Sequence, residues 1–240
     1  MKVLIVGAGR AGLEVAIQLA RTGHAVTIVD TDPVVARRAT EQFGLVAILG
    51  DATTADVLDD AGIGRMDIVL AMLRRDADNL AVSLLARAAG VDRVMVRMRD
   101  NAYRTVYATA GIDRVLSETD LITGAITTAV EHDAIRHAML IGDGAAIAFE
   151  LTIPAGSVGA GRTVMELAAR SDFPKSGVFA ALYREGGGVE APRGSSVVDA
   201  GTTVLLVAQR EEVSHAITAL TAPAASSGVG PSVTHPHTRR

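Results

Sequence analysis

No cysteine occurs among the 240 residues. Disulfides, thiolate nucleophiles and Cys-ligated zinc are therefore excluded. Tryptophan is also absent and aromatic residues make up only 3%, which argues against the stacking platforms used to bind single-stranded nucleic acid. Nor is there an excess of positive charge: 23 Lys and Arg stand against 27 Asp and Glu, a formal net charge of -4. That balance gives no global attraction for nucleic acid or an anionic membrane surface, and nucleic acid is not expected as a partner. The apolar runs are short and broken by charge, too short to span a bilayer. Glycines interrupt the N-terminal apolar stretch too early for a signal peptide. A soluble, cytoplasmic protein is expected, reaching a membrane only through a partner.

What is present is a core-forming share of hydrophobic residues, 49%, in a repeating rhythm. Short apolar runs at 3–6, 25–29, 46–49, 68–71, 94–96 and 114–116 read as buried strands. Helical spacing falls between them at 10–22, 33–43, 54–61, 76–89 and 101–110. The alternation predicts an α/β class, a Rossmann-type doubly wound parallel sheet. A longer helical pattern over 117–138, with Leu121, Ile122, Ala125, Ile126, Ala129 and Val130 on one stripe, predicts a crossover or dimerisation helix. After Gly142-Asp143-Gly144 the texture changes. Strands at 146–153, 177–184, 189–190 and 203–208, with helices at 163–170 and 211–220, predict a small α+β lobe. The expected division is 1–138, 139–220, and a Ser/Gly/Pro/Ala-rich tail over 221–240 that is expected to be disordered.

Gly7-Ala8-Gly9-Arg10-Ala11-Gly12 is G-x-G-x-x-G between a strand and an amphipathic helix, the context in which the pattern is informative. Gly7 permits the tight turn, Gly9 lets a phosphate approach the backbone, and Gly12 lets the helix pack close to the strand. The N–H groups of the helix start then favour an anion. Asp30, with Thr31 beside it, ends the second strand eighteen residues after Gly12. A carboxylate there accepts from both ribose hydroxyls and repels a 2′-phosphate, which disfavours NADP.

Asp51 in Gly50-Asp51-Ala52-Thr53 ends the third strand. It reads either as an adenine or ribose contact or as an N-cap for the next helix. Asp76 and Asn79 open the helix after the fourth strand and read first as caps. Arg97 and Arg99 share one face after the fifth strand, as phosphate contacts or as a salt-bridged surface pair. His132 and His137 are five apart and do not stack as metal ligands at i, i+4 would. With His215 they read as surface or interface residues; His235 and His237 fall in the tail.

The segments MKVLIVGAGRAG, TIVD, LGDAT, DADN and VRMRDNAY, in this order and followed by a small second lobe, resemble the RCK family of regulators of potassium conductance, in its Trk/Ktr-type cytosolic subunit. The resemblance covers about residues 1–210. It implies an N-lobe that binds NAD(H) or ATP/ADP, with phosphate contacts on Gly7, Ala8, Gly9, Arg10, Ala11 and Gly12. It implies ribose contact at Asp30 and Thr31, adenine-side contact at Asp51 and Ala52, and further contacts at Met72, Leu73, Asn79 and Arg97. It also implies a divalent or monovalent cation held at a subunit interface near Glu118, and a C-lobe that in some members binds other ligands. The partner implied is a membrane-embedded potassium channel or transporter subunit, regulated by a dimer or octameric ring of this chain. Two departures stand out. Leu73 replaces a small hydroxyl residue common in that loop, and Gly201-Thr202 replaces a frequent Gly-Asp.

The competing class is a small NAD-dependent oxidoreductase. It requires a general acid or base beside the nicotinamide, and the residues after 140 present no His-Asp pairing for it. A regulatory protein, not an enzyme, is the expectation.

Overall fold

The computed structural model describes residues 1–112, 114–142, 144–184 and 186–224. The chain forms two compact units, Met1–Ile122 and Thr123 onward.

The first unit alternates strand and helix: β1 (Lys2–Val6), α1 (Arg10–Arg21), β2 (Ala25–Asp30), α2 (Pro33–Phe43), β3 (Val46–Leu49), α3 (Ala55–Asp60), β4 (Ile68–Ala71), α4 (Asp76–Ala88), β5 (Val94–Met98), α5 (Arg104–Thr109) and β6 (Arg114–Ser117). The sheet is parallel throughout, in the order β3-β2-β1-β4-β5-β6. Strand residues alternate between faces. Leu4 and Val6 pack into one apolar layer with Val69 and Ala71, while Val3 and Ile5 pack into the other with Leu13, Ala16 and Ile28. Both faces are buried, which is why these strands read as unbroken apolar runs. Pro33 occupies the first turn of α2 behind an Asp32 cap that accepts from Val34 N–H at 2.8 Å. The order reverses between β1 and β4, and the crevice outside the carboxyl ends of those strands is where an open α/β sheet takes ligands.

α6 (Glu118–Glu131) follows, and the division between the units falls within it. The second unit continues with β7 (Ile135–Ile141), β8 (Ala146–Thr152), β9 (Arg162–Thr163), α7 (Val164–Ala168), β10 (Val178–Tyr183), β11 (Val189–Glu190), β12 (Val197–Val198), β13 (Thr203–Gln209) and α8 (Val213–Thr221). Its antiparallel sheet runs β11-β10-β13-β8-β7, and β12 pairs separately with β9. Phe149, Leu151, Leu182, Leu206, Val213 and Leu220 form its core.

Two sequence expectations are corrected. The helix expected over 117–138 ends at Glu131, and 135–141 is strand β7, paired antiparallel to β8 through Met139↔Ala148. Local helical spacing gave way to a seven-residue sheet partner that spacing does not reveal. Of the tail expected over 221–240, the described part is ordered: Thr221 is the last residue of α8, Pro223 bridges to Ser157, and Ala224 N–H donates to the Gly156 carbonyl at 2.8 Å, while 225–240 lie outside the described residues. Asp143, His235 and His237 lie outside the described residues. Among the described residues no helix is long and apolar enough to cross a membrane.

Candidate functional site

The turn from β1 to α1 is built by three glycines with three different jobs. Gly7 has φ +92°, and its N–H donates to the Val29 carbonyl at 2.9 Å. A Cβ there would lie 2.9 Å from the carbonyl carbon of Met72, so the β4–α4 connector closes directly on the turn. At Gly12 a Cβ would lie 2.0 Å from the Gly7 carbonyl oxygen, so only glycine lets the helix sit this close. At Gly9 a Cβ would meet nothing within 4 Å. Protein packing therefore gives no reason for glycine at position 9, and the space beside it is open. Gly9 is also the N-cap of α1, with no side chain capping the helix. The first-turn N–H groups, which have no partner inside a helix, are left for an anion.

Asp30 ends β2 beside this turn. Its Oδ2 accepts from Ala8 N–H at 2.7 Å and its Oδ1 from Asp32 N–H at 2.9 Å. The carboxylate thus fixes the loop's second residue, and each oxygen keeps a lone pair for a further donor. Thr31 is exposed next to it. Gly50 N–H donates to the Asp30 carbonyl at 3.0 Å, which brings Asp51 to the same edge. Asp51 is exposed. Its Oδ1 accepts from the Thr53 N–H at 2.9 Å and the Thr53 hydroxyl at 2.8 Å, and these two bonds hold its carboxyl below the ordinary range. Thr54, not Asp51, is the N-cap residue of α3.

Other expected contacts have different roles. Ala52 is 3% exposed and belongs to the core, so its methyl group is not presented to the crevice. Asn79 is fully buried. Its Oδ1 accepts from Leu73 N–H at 2.8 Å, and its Nδ2 donates to the carbonyls of Leu73 at 3.2 Å and Arg97 at 3.0 Å. It braces the crevice wall at Met72 and Leu73, both half-buried, and neither caps α4 nor presents a free polar atom. Arg10 and Ala11 are exposed. Arg10 faces a groove of about 330 Å³ between α1 and α2, together with Arg21 and Arg38.

Arg97 and Arg99 are a salt-bridged pair on one carboxylate. Glu118 Oε2 lies 2.7 Å from Arg97 Nη2 and 3.2 Å from Arg99 Nε. Within one chain, the Glu118 oxygen that faces the sheet is thus taken by two guanidiniums rather than presented free. Among the described residues no group of three or more acidic or histidine side chains is placed to hold a metal ion. Asp120, in the first turn of α6, is held by the Asn101 amide at 2.8 Å and by Arg104; the Asn101 bond first, with Ser117 and Arg104 behind it, keeps its carboxyl below the ordinary range.

The hub that sequence reading missed is Asp76. It is buried, and its carboxylate accepts from the N–H groups of Arg99 at 3.2 Å and Asp100 at 3.0 Å and from the Tyr107 hydroxyl at 3.1 Å. An aspartate at the first position of a helix reads as a cap. Only the Asp and Tyr thirty-one residues apart, both facing inward, could have marked it.

Comparison with known proteins follows the same division of labour. The TrkA-N domain model matches residues 3–118. The Trk system potassium uptake protein TrkA homolog of Archaeoglobus fulgidus is 32% identical over 225 residues, covering 89% of this chain and 48% of that protein, so this chain spans about half its length. The TrkA homolog of Methanothermobacter thermautotrophicus is 24% identical over 216 residues, covering 90% and 97%. TrkA of Mycobacterium tuberculosis is 27% identical over 219 residues, covering 88% and 94%. Among solved structures, the GsuK channel covers 93% of this chain and 40% of its own at 18% identity, with a TM-score of 0.66, and the GsuK RCK domain gives 0.63 with 93% and 48% covered. At that identity the likeness establishes the fold: a Rossmann-type sheet followed by a small α+β lobe. Matched over its first lobe by the TrkA-N model and over nearly its whole length by TrkA proteins, the chain belongs to the RCK/TrkA family.

Proposed function

We propose that this chain is a nucleotide-sensing regulatory subunit of a potassium transport system, acting in the cytoplasm on a membrane-embedded partner. The observation that carries the proposal is the phosphate turn: an open face at Gly9, uncapped first-turn N–H groups, and a ribose-competent carboxylate at Asp30 already bonded to Ala8. The ligand it suits is an adenine nucleotide with unmodified ribose, NAD(H) or ATP/ADP. The naming of its relatives as potassium uptake proteins supports the transport role. Sensing of this kind needs no catalytic group. A ligand shifts a two-state equilibrium by its difference in affinity for the two states, and by no more.

Calorimetry tests the ribose assignment. The wild-type protein should bind NADH more tightly than NADPH, and ATP more tightly than 2′-deoxy-ATP. Asp30→Ala should weaken NADH binding by about 1–3 kcal/mol, the scale of lost charge-assisted bonds, and should erase the preference for the 2′-hydroxyl. Equal wild-type affinities for NADH and NADPH would remove Asp30 from the ribose.

We further propose that the working unit is a dimer or a ring built from dimers, joined through α6. Ile122, Ile126 and Val130 are 52%, 59% and 76% exposed in the single chain, an apolar stripe that water alone does not favour. Ile126→Glu should give folded monomers by light scattering with an unchanged circular dichroism spectrum. A wild-type chain that stays monomeric at high concentration, with and without nucleotide, would sink this assembly.

A further inference from the structure

α1 carries a stripe that the sheet does not use. At about 100° per residue, Arg10, Glu14, Ile17 and Arg21 fall within roughly 60° of one another around the helix. They line the groove of about 330 Å³ between α1 and α2, together with Leu13, Arg38 and Phe43. The floor of the groove is apolar: Leu13 and Ile17 belong to the core, and the Phe43 ring is 36% exposed. Its rim is cationic. Arg10, Arg21 and Arg38 are exposed, and among the described residues none of the three is within salt-bridge distance of a carboxylate. Arg38 is held in place without one. Its Nε donates to Gln42 Oε1 at 3.1 Å, and its guanidinium carbon lies 5.8 Å from the centre of the Phe43 ring. The acidic residue in the lining, Glu14, accepts from the Gln18 amide at 3.2 Å.

The spacing of the arginines narrows what can meet them. Arg10 and Arg21 are the first and last residues of α1, about 16 Å apart along its axis. One phosphate or carboxylate ion cannot reach both. A flat anionic surface is equally ill-matched, because the apolar floor is recessed between two helices and the chain as a whole carries a net charge of -4. A helix laid along the groove matches the length, since about three turns cover 16 Å. Its apolar residues at i, i+4 and i+7 are what a floor of this kind takes.

We propose that the α1–α2 groove docks an acidic amphipathic helix of a partner protein. Carboxylates of that helix meet Arg10, Arg21 and Arg38, and its apolar stripe covers Leu13, Ile17 and Phe43. Glu14 sets the register, because a partner carboxylate placed opposite it is repelled. A patterned helix is thereby favoured over a uniform polyanion. The proposal is independent of nucleotide binding: Arg21 stands at the far end of α1 from the phosphate turn, and Arg38 is on another helix.

The test is selection from a displayed library of peptides of about 18 residues, long enough to be helical on their own. The library is selected against wild type and against Arg21→Gln/Arg38→Gln. Recovered peptides are then measured by calorimetry beside sodium tripolyphosphate and phosphatidylserine vesicles. Wild type should enrich helices with Asp or Glu on one stripe and Leu, Ile or Phe on the next. Their affinity should fall about tenfold in the double variant, the combined size of two partly exposed ion pairs, and should fall with added salt. The reversed variant Arg21→Glu/Arg38→Glu should instead prefer the same peptides with Lys in place of their acids, a gain that misfolding cannot imitate. Enrichment of peptides without acidic residues, of no peptide at all, or of peptides that bind both proteins equally would overturn the proposal. So would tripolyphosphate or vesicles that bind wild type and not the double variant while no selected peptide does.

Discussion

Alanine at position 12 is expected to destabilise the protein by about 3 kcal/mol or more, while alanine at position 9 leaves stability within about 1 kcal/mol of wild type and weakens nucleotide binding about tenfold or more. The two glycines belong to one motif, but the structure separates their reasons. At Gly12 the added methyl would sit 2.0 Å from the carbonyl oxygen of Gly7. That obstacle is backbone, and the Gly7 turn is itself pinned by its bond to Val29 and by Met72 against its other side. Neither can yield without parting α1 from the sheet, which places the substitution at or beyond the upper end of overpacking costs, a large share of a domain's 5–15 kcal/mol or so of stability. At Gly9 the backbone, φ -57° and ψ -174°, suits any residue, and the methyl meets no protein atom within 4 Å. The entropic gain of Gly→Ala is offset by alanine's poorer fit at an N-cap. The methyl instead fills the space a phosphate would use, and affinity should fall at least about tenfold, some 1.4 kcal/mol. Thermal melts and calorimetry on both variants check this. A Gly12→Ala protein that melts with wild type, or a Gly9→Ala protein that binds nucleotide with wild-type affinity, would contradict the division of roles.

This pair also shows how much of the site was legible. A motif read from sequence gives residue types and spacing, and these suffice to bring Gly7, Gly9 and Gly12 of the β1–α1 turn beside Asp30 at the end of the adjacent strand β2. The central strands β1 and β4 were legible for a related reason: buried on both faces, they are uninterrupted apolar runs. Where legibility failed, the deciding partner lay far along the chain or across a sheet. β7 is strand because β8 pairs with it, whereas the helical pattern expected from 117 runs on into its first residues, to 138. Ala52 sits in a segment resembling an adenine contact, but its methyl group is packed inward. Asn79 and Asp76 carry side chains that cap helices, and their short polar groups serve equally well to hold a distant backbone; only burial distinguishes the two uses. Arg97 and Arg99 were correctly placed on one face. That a carboxylate nineteen residues further on would meet both could not be read from spacing, because β6 had first to bring Glu118 beside β5.

Asp76→Ala is expected to cost about 3–5 kcal/mol, the scale of stranding buried partners of a charged group. The carboxylate is the acceptor for three donors at once: the Arg99 and Asp100 N–H groups just after β5, and the hydroxyl of Tyr107, which is wholly buried and also donates to the Asp76 carbonyl at 3.0 Å. Alanine leaves both N–H groups without their charged acceptor and leaves the hydroxyl its carbonyl bond alone. Urea unfolding should show a lower midpoint with an unchanged slope, and the amides of Arg99 and Asp100 should exchange with solvent faster. Tyr107→Phe removes one donor and leaves the carboxylate its two N–H partners, so it should cost only about 0.5–1.5 kcal/mol. The two variants differ again in alkali. Burial first, and then the charge of Asp76 beside it, push the Tyr107 hydroxyl well above its ordinary pKa. A folded-state pKa raised above the unfolded value of about 10 means that the unfolded chain releases its proton first. The stability this tyrosine contributes is therefore complete below about pH 10 and is lost progressively above it. Wild-type stability should decline with pH in that range more steeply than that of Tyr107→Phe, which has no hydroxyl to ionise. An Asp76→Ala protein within about 0.5 kcal/mol of wild type, the range of an ordinary surface change, would show that the β5–α5 connector is held by something other than this carboxylate.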